Sequence, residues 1–359
     1  MKVLFTFYVP SGGIETLNRL RGHALRLVGM KIHLLYAQYG AGLQNKSNIP
    51  TFVASSDMDI QTLLGDHKYD AIMVSSDFVM LERLRRFGYS EPIIYEAQGL
   101  GAPEQAEQAA SLAAPYIQRY AQGIHLPPTA HLIHLFKRLC PQVPQYVFSN
   151  VVDYERFHYT KNANIPAGPV ICWVGRLERN KNWKAFIDIG HRLIQHNPRI
   201  QLWMFLDKNL SQEQEYKRFA HRVGSLKLEP HLTVYNNIPH DKMKHYLSIT
   251  GDSGGFLLST SILEGFGYSV AEALSCRCPV LCTDSDGVKV FITHNITGKF
   301  YTHDNLDQAV QEGLELMSNS ALRLLIRKNG EAHMKKHFQP SVYAQHFSHM
   351  LNQVKSKVY

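Results

Sequence analysis

A chain of 359 residues is too long for one ordinary hydrophobic core and comfortable for two. With 45% hydrophobic and 19% charged residues it has the composition of a folded globular protein, which excludes disorder as its main state. A net charge of +8 and a pI near 9.1 favour anionic partners such as nucleotide diphosphates, acidic lipid headgroups or nucleic acid.

No apolar run of about 18 residues or more is present, so no spanning helix is expected. The opening MKVLFTFYVPSGG has a short apolar run that stops at Pro10 without a small-residue cleavage site. It reads as a buried first strand rather than a signal peptide. The five cysteines, an odd count with three in or beside apolar runs, suggest reduced thiols and a cytoplasmic setting. Cys276, Cys278 and Cys282 sit in LSCRCPVLCT, a helix end running through Pro279 into a strand. Small core side chains suit that context better than metal ligands, and no metal site is expected.

In chain order, strands are expected at 2–9, 31–37, 71–76, 92–97 and 145–150, and then at 169–175, 199–206, 232–237, 254–261 and 279–284. Helical sequence separates them. In IETLNRLRGHALRLVG, Ile14, Leu17, Leu20, Ala24, Leu25 and Val28 recur at helical spacing, and Gly29 suits a C-terminal cap. Such alternation predicts an α/β protein with parallel sheets covered on both faces. A polar stretch rich in Pro, Gly and Asn at 160–169 is the best linker candidate. The densest basic patch, LERLRRFGY at 81–89, reads first as one solvated helix face and, more sharply, as a peripheral membrane contact. No basic stripe with stacking aromatics supports nucleic-acid binding.

Three segments carry candidate chemistry. In SILEGFGYSVAEAL (261–274), Glu264 falls in a strand-to-helix turn with Gly265, Phe266 and Gly267 behind it, and Glu272 lies two turns into the helix. Glycines there let backbone amides approach an oxygen-rich ligand, and the helix N-terminus adds positive potential. Glu264 could accept hydrogen bonds from sugar hydroxyls and Glu272 from a ribose; the plain alternative is a turn whose glutamates face solvent. In WVGRLERNKNW (173–183), Arg176 and Lys181 follow a strand and could neutralise a diphosphate. In YVPSGGIETL (8–17), Gly12 and Gly13 follow the first strand and could face a phosphate or sugar, or simply form a tight turn.

Together these segments resemble the retaining glycosyltransferases of family 4, which have the GT-B fold. EGFGYSVAE matches the family's E-G-F-G-x-x-x-x-E, and Gly175, Arg176, Lys181 and Asn182 match its GR-x4-KN. SNVVDYERF (149–157) is similar to its N-G-V-D-x-x-x-F run, with Val151 at the usual glycine. The resemblance implies two Rossmann-like domains facing a central cleft: 1–160 for the acceptor, 161–339 for the donor, and a helix at 340–359 returning towards the first. It implies that Glu264, Arg176 and Lys181 serve catalysis. Gly12, Gly13, Asn237, Ile238, Gly265, Phe266, Gly267 and Glu272 would bind the donor, Asn237 and Ile238 at the nucleobase.

The expected reaction is transfer of a hexose or N-acetylhexosamine from a nucleotide-sugar, a UDP-sugar first, to a glycan, lipid-linked or small-molecule acceptor. Retention of configuration without a cofactor or metal would follow. Two departures stand out. Gln98-Gly99 replaces a common His-Gly pair, leaving Glu96, Gln98 or His125 to serve the acceptor side, and Leu206-Asp207 replaces a glycine-rich turn. The alternatives are a non-catalytic sugar-nucleotide-binding scaffold, or an epimerase or hydrolase on the same fold.

Overall fold

The computed structural model describes residues 1–356, apart from 46, 102, 155 and 207–212. The chain divides into two compact units, Met1–Val152 with Phe338–Tyr359, and Asp153–His337.

In the first unit the strands are β1 (Lys2–Phe7), β2 (Lys31–Tyr36), β3 (Thr51–Val53), β4 (Ala71–Ser75), β5 (Ile93–Glu96), β6 (Gly123–Leu126) and β7 (Gln145–Val147). They form one sheet in the order β3-β2-β1-β4-β5-β6-β7, and every pairing is parallel. Central strands such as AIMVS are buried along their whole length, as a sheet covered on both faces requires. Its helices are α1 (Gly12–Arg26), α2 (Asp57–Asp66), α3 (Phe78–Arg86), α4 (Pro103–Tyr120) and α5 (Ala130–Leu139). Gly29 adopts φ +78° just beyond α1, the left-handed conformation that ends a helix.

The second unit repeats the plan. Strands β8 (Val170–Val174), β9 (Gln201–Leu206), β10 (Leu232–Asn236), β11 (Phe256–Ser259), β12 (Val280–Thr283) and β13 (Lys299–Tyr301) lie in the order β10-β9-β8-β11-β12-β13, again all parallel. Helices α6 (Trp183–His196), α7 (Glu213–Ser225), α8 (Met243–Asp252), α9 (Tyr268–Ser275), α10 (Leu306–Ser318) and α11 (Ser320–His337) connect and follow them. The last helix, α12 (Pro340–Lys355), belongs to the first unit and packs on α1. Phe347 on α12 meets Phe5 of β1 with ring centroids 5.6 Å apart.

Three short strands, β3, β6 and β13, escape the sequence reading. The division between units falls at Val152–Asp153, upstream of the 160–169 stretch. That stretch starts on the second unit: the Tyr159 hydroxyl donates to Asp252 (3.1 Å) and the Thr160 amide to the Ser248 hydroxyl (3.1 Å). The arginines of the 81–89 patch are engaged within their own unit. Arg83 and Arg86 both reach Asp57 at the start of α2 (2.7 and 2.5 Å), and Arg85 donates to the carbonyls of Tyr89 and Glu91. Among the described residues no helix is long and apolar enough to cross a membrane.

One polar cluster lies wholly inside the first unit. Glu96, at the end of β5, and Arg21, on α1, are both 0% exposed and pair at 2.7 Å. The other oxygen of Glu96 accepts from the Ser75 hydroxyl at 2.5 Å, and Oε1 also takes the Gln98 amide (2.9 Å) and lies 3.0 Å from His125 Nδ1. Asn150 donates to Gln98 at 2.7 Å, and the Arg21 guanidinium lies over the Phe5 ring, 4.0 Å from its centroid. Burial works against an ionised Glu96, but Arg21, His125 and Ser75 outweigh it and hold the carboxyl well below the usual range.

Breaking this pair should be costly, because the survivor is left charged and buried. Arg21→Met is expected to lose about 3–5 kcal/mol in urea unfolding at pH 7. The folded-state carboxyl is depressed from its ordinary 4.5, so its stabilising share is complete above that pH and falls away on acidification. A wild-type stability that rose as pH fell below 4.5 would contradict this account.

Candidate active site

In the second unit β8 is central, with β9 on one side and β11 on the other. The chain runs outward in both directions from this point, so the β8 and β11 connections diverge at their carboxyl ends and leave a crevice where open α/β sheets take ligands. The segments bearing Arg176 with Lys181, and Glu264, are those two connections.

Lys181 is set by the core beneath it. The Trp173 indole N–H donates to the Thr260 hydroxyl (3.0 Å), which donates to the Lys181 carbonyl (2.9 Å). Gly175 closes β8 and leaves room for this side chain: an added Cβ would stand 2.8 Å from the Trp173 ring and 3.3 Å from Lys181 Cγ. Asn180 laces the loop to the neighbouring turn. Its carbonyl accepts from the Ile262 amide (2.8 Å), and its side chain accepts from the Leu263 amide (3.1 Å) and donates to the Leu263 carbonyl (3.0 Å).

These ties bring the Lys181 ammonium into an ion pair with Glu264 Oε1, which also accepts from the Ser261 hydroxyl at 2.8 Å. The two side chains keep 22% and 12% of their surface in solvent, so the pair is sheltered but reachable. Behind it, the Gly287 amide donates to the Glu264 carbonyl (3.1 Å). The turn then closes through Phe266, buried against Phe291 at 4.8 Å. Gly267 starts α9 at φ +81°, where a Cβ would stand 2.7 Å from Val288, so both backbone and space call for glycine. Gly265 is half-buried.

Glu272 is 7% exposed on α9, and its carboxylate accepts from His240 Nε2 at 2.8 Å. The buried Phe157 ring packs on His240 with centroids 4.7 Å apart. Asn237, exposed at φ +52°, donates its amide to Leu206, and Ile238 is half-buried beside it. Arg176 is exposed and pairs with Glu178 at 3.2 Å. A cavity of about 890 Å³ borders the same loops, lined among others by Arg179, Asn182, Trp183, Lys184 and Ile262.

The structure thus joins Lys181 to Glu264 directly and places Glu272 in a contact of its own. Gly12 and Gly13 are exposed at the carboxyl end of β1 in the first unit, Gly12 at φ +62°. Glu96 and His125 are fully buried and Gln98 is 7% exposed, all three in the Arg21 cluster. Asp207 and Glu155 lie outside the described residues. The sequence reading passed over Asn180, Ser261, His240 and Gly287. Ser261 and Asn180 sit inside the motifs it used, and Asp286-Gly287 carries a turn signal. His240 stands 32 positions from Glu272, with no local pattern to link them. The buried Cys276 and Cys282 thiols are pushed up by burial, and no group of three or more His, Cys, Asp or Glu suited to a metal ion occurs among the described residues.

Two Rossmann-like units with all-parallel sheets and a crevice of this kind define the GT-B architecture, and solved structures of that architecture superpose on nearly the whole chain. Alr3699/HepE of Anabaena, solved in complex with UDP and glucose, has a TM-score of 0.82 at 18% identity and covers 98% of this chain and 100% of its own. The sucrose-phosphate synthase tll1590 of Thermosynechococcus elongatus has a TM-score of 0.82 at 15% identity over 99% and 100%. Residues 156–333 match the family described as glycosyl transferases group 1. Sucrose synthase 1 of Oryza sativa subsp. japonica is 23% identical over 174 residues, which is 45% of this chain and only 20% of that protein.

The crowding at Gly287 makes the turn testable. A Cβ there would lie 2.2 Å from the Glu264 carbonyl oxygen, too close to backbone to be relieved by a side-chain shift. Gly287→Ala should therefore destabilise the second unit by about 1–3 kcal/mol in thermal unfolding. Gly65→Ala, on a helix with open space around the new methyl, should be neutral or slightly stabilising.

Proposed function

We propose that the protein transfers a hexose or N-acetylhexosamine from a UDP-sugar to a glycan, lipid-linked or small-molecule acceptor, with retention of configuration and without a metal. The observation that carries this reading is the Lys181–Glu264 ion pair held across the strand-order reversal of the second unit. A carboxylate there accepts hydrogen bonds from sugar hydroxyls. The adjoining ammonium and the exposed Arg176 offer positive charge to a diphosphate as it departs. Amides of Gly265, Phe266 and Gly267 at the start of α9 add hydrogen-bond donors, and Glu272 takes the ribose. Asn237 and Ile238 line the place of the base.

Fixed cations and a helix N-terminus can do the charge stabilisation that a metal supplies elsewhere. The departing phosphate can take the acceptor proton on the same face of the sugar, so no protein nucleophile is needed. UDP and glucose are the ligands seen with Alr3699/HepE, which supports a uridine donor here. Burial of Glu96, Gln98 and His125 favours a supporting role for them beneath the carboxyl edge of the first sheet, not contact with the acceptor.

A thermal-shift panel of UDP, GDP, ADP and their sugar conjugates tests the reading. A ligand that binds only the folded state at 100 times its Kd adds about 2.7 kcal/mol of stability, so UDP and its sugars should raise the Tm by several degrees. Glu272→Ala should abolish the shift, EDTA should leave it intact, and Lys181→Ala should lower turnover of UDP-sugar about 10²–10³-fold. A folded wild type that responded to none of these nucleotides would overturn the proposal.

A further inference from the structure

Glu272 does not stand free to meet a ribose. Its side chain retains 10% of its surface in solvent, and one oxygen is already committed to His240 Nε2 at 2.8 Å. An ionised carboxylate can only accept, so the ring nitrogen facing it carries the proton. The two residues come from different connections: His240 follows β10 and Glu272 lies about one turn along α9. The His240 ring is itself held by Phe157, which is 2% exposed and whose amide donates to the Asp153 carbonyl at 2.8 Å. Phe157 ends the SNVVDYERF run, a motif for which the donor-site chemistry above has no use.

We infer that His240, braced by Phe157, is a positioning residue that aims the Glu272 carboxylate at the ribose hydroxyls of the nucleotide. One carboxylate oxygen is fixed by the imidazole and the other is left for the ligand. A carboxylate held this way keeps its rotamer before the nucleotide arrives, so less order is lost on binding. The same contact ties the loop after β10, where Asn237 and Ile238 sit, to the helix that carries Glu272. Base and ribose contacts are thereby set relative to each other. This inference rests on the proposed donor site and adds a residue to it.

The readout is discrimination at the sugar of the nucleotide, which a purely structural role would not move. Calorimetric Kd values for UDP and 2′-deoxy-UDP are measured on wild type, His240→Ala, His240→Gln and Phe157→Leu, with thermal unfolding of each ligand-free protein as the folding control. Wild type should prefer UDP by about tenfold or more, since a hydrogen bond to a charged group is lost in the deoxy ligand. His240→Ala should shrink that preference to about threefold or less. His240→Gln, whose amide can still donate, should keep most of it, and Phe157→Leu should fall between.

A folded His240→Ala protein with the wild-type preference would overturn the positioning role and leave the donor site standing. Wild type that bound both nucleotides equally would remove the ribose role of Glu272 and this inference with it. Absence of UDP binding in wild type would overturn the proposed function as well.

Discussion

A lysine ammonium and a glutamate carboxylate, one from each side of a reversal in strand order, meet at the carboxyl edge of the second sheet, and the surrounding loops are arranged around that meeting. Neither residue is placed by its own segment alone. Trp173 and Thr260 set the Lys181 backbone from below, Asn180 ties its loop to the Glu264 turn by three hydrogen bonds, and Gly287 holds the far side of that turn. Hydrophobic packing supplies the platform: β11 is buried along its whole length and β8 up to its last residue. The pair is held by that platform, and its partial exposure leaves it within reach of solvent.

The first unit solves a different problem with a similar pairing. There the opposite charges are sealed from water, and the geometry rather than the charge carries the value. Arg21, Glu96, Gln98, His125 and Asn150 come from α1, β5, β6 and the ends of their connections, so the cluster registers one helix against the carboxyl end of the sheet. Such a network costs desolvation energy, which the Arg21–Glu96 pairing and the hydrogen bonds from Ser75, Gln98 and Asn150 offset.

Much of this was legible in the residues, and what was missed has physical causes. Long apolar strands such as KVLFTF and QLWMFL announce themselves, whereas TFV, GIHL and KFY are strands through the neighbours they pair with, β2 for the first, β5 and β7 for the second and β12 for the third. Glu264, Lys181 and Glu272 were recoverable because glycines and strand ends bracket them. Arg21 was not: on α1 it reads as an exposed basic residue of an amphipathic helix, and only the fold reveals that it points at a carboxylate 75 residues away. His240 and Phe157 are invisible for the same reason, since each acquires its meaning from a neighbour distant in sequence. The 160–169 stretch has the composition of a linker, yet it begins on α8 through Tyr159 and Thr160, because composition reports flexibility in isolation and not what the chain finds to bond with.

The return of α12 to the first unit changes how the chain can be cut. The Val152 amide donates to the Phe338 carbonyl at 3.0 Å, so the outgoing and incoming crossings lie side by side. Topologically the second unit is an insertion whose two ends emerge together, while the first is discontinuous and is completed only by a helix that follows the insertion in the chain. Phe347 and Tyr343 cannot cover β1 and α1 until the whole of the second unit has been made. The first unit therefore stays incomplete until the inserted unit has been made, and the inserted unit has the whole of its own sequence available to fold while its host still lacks a wall.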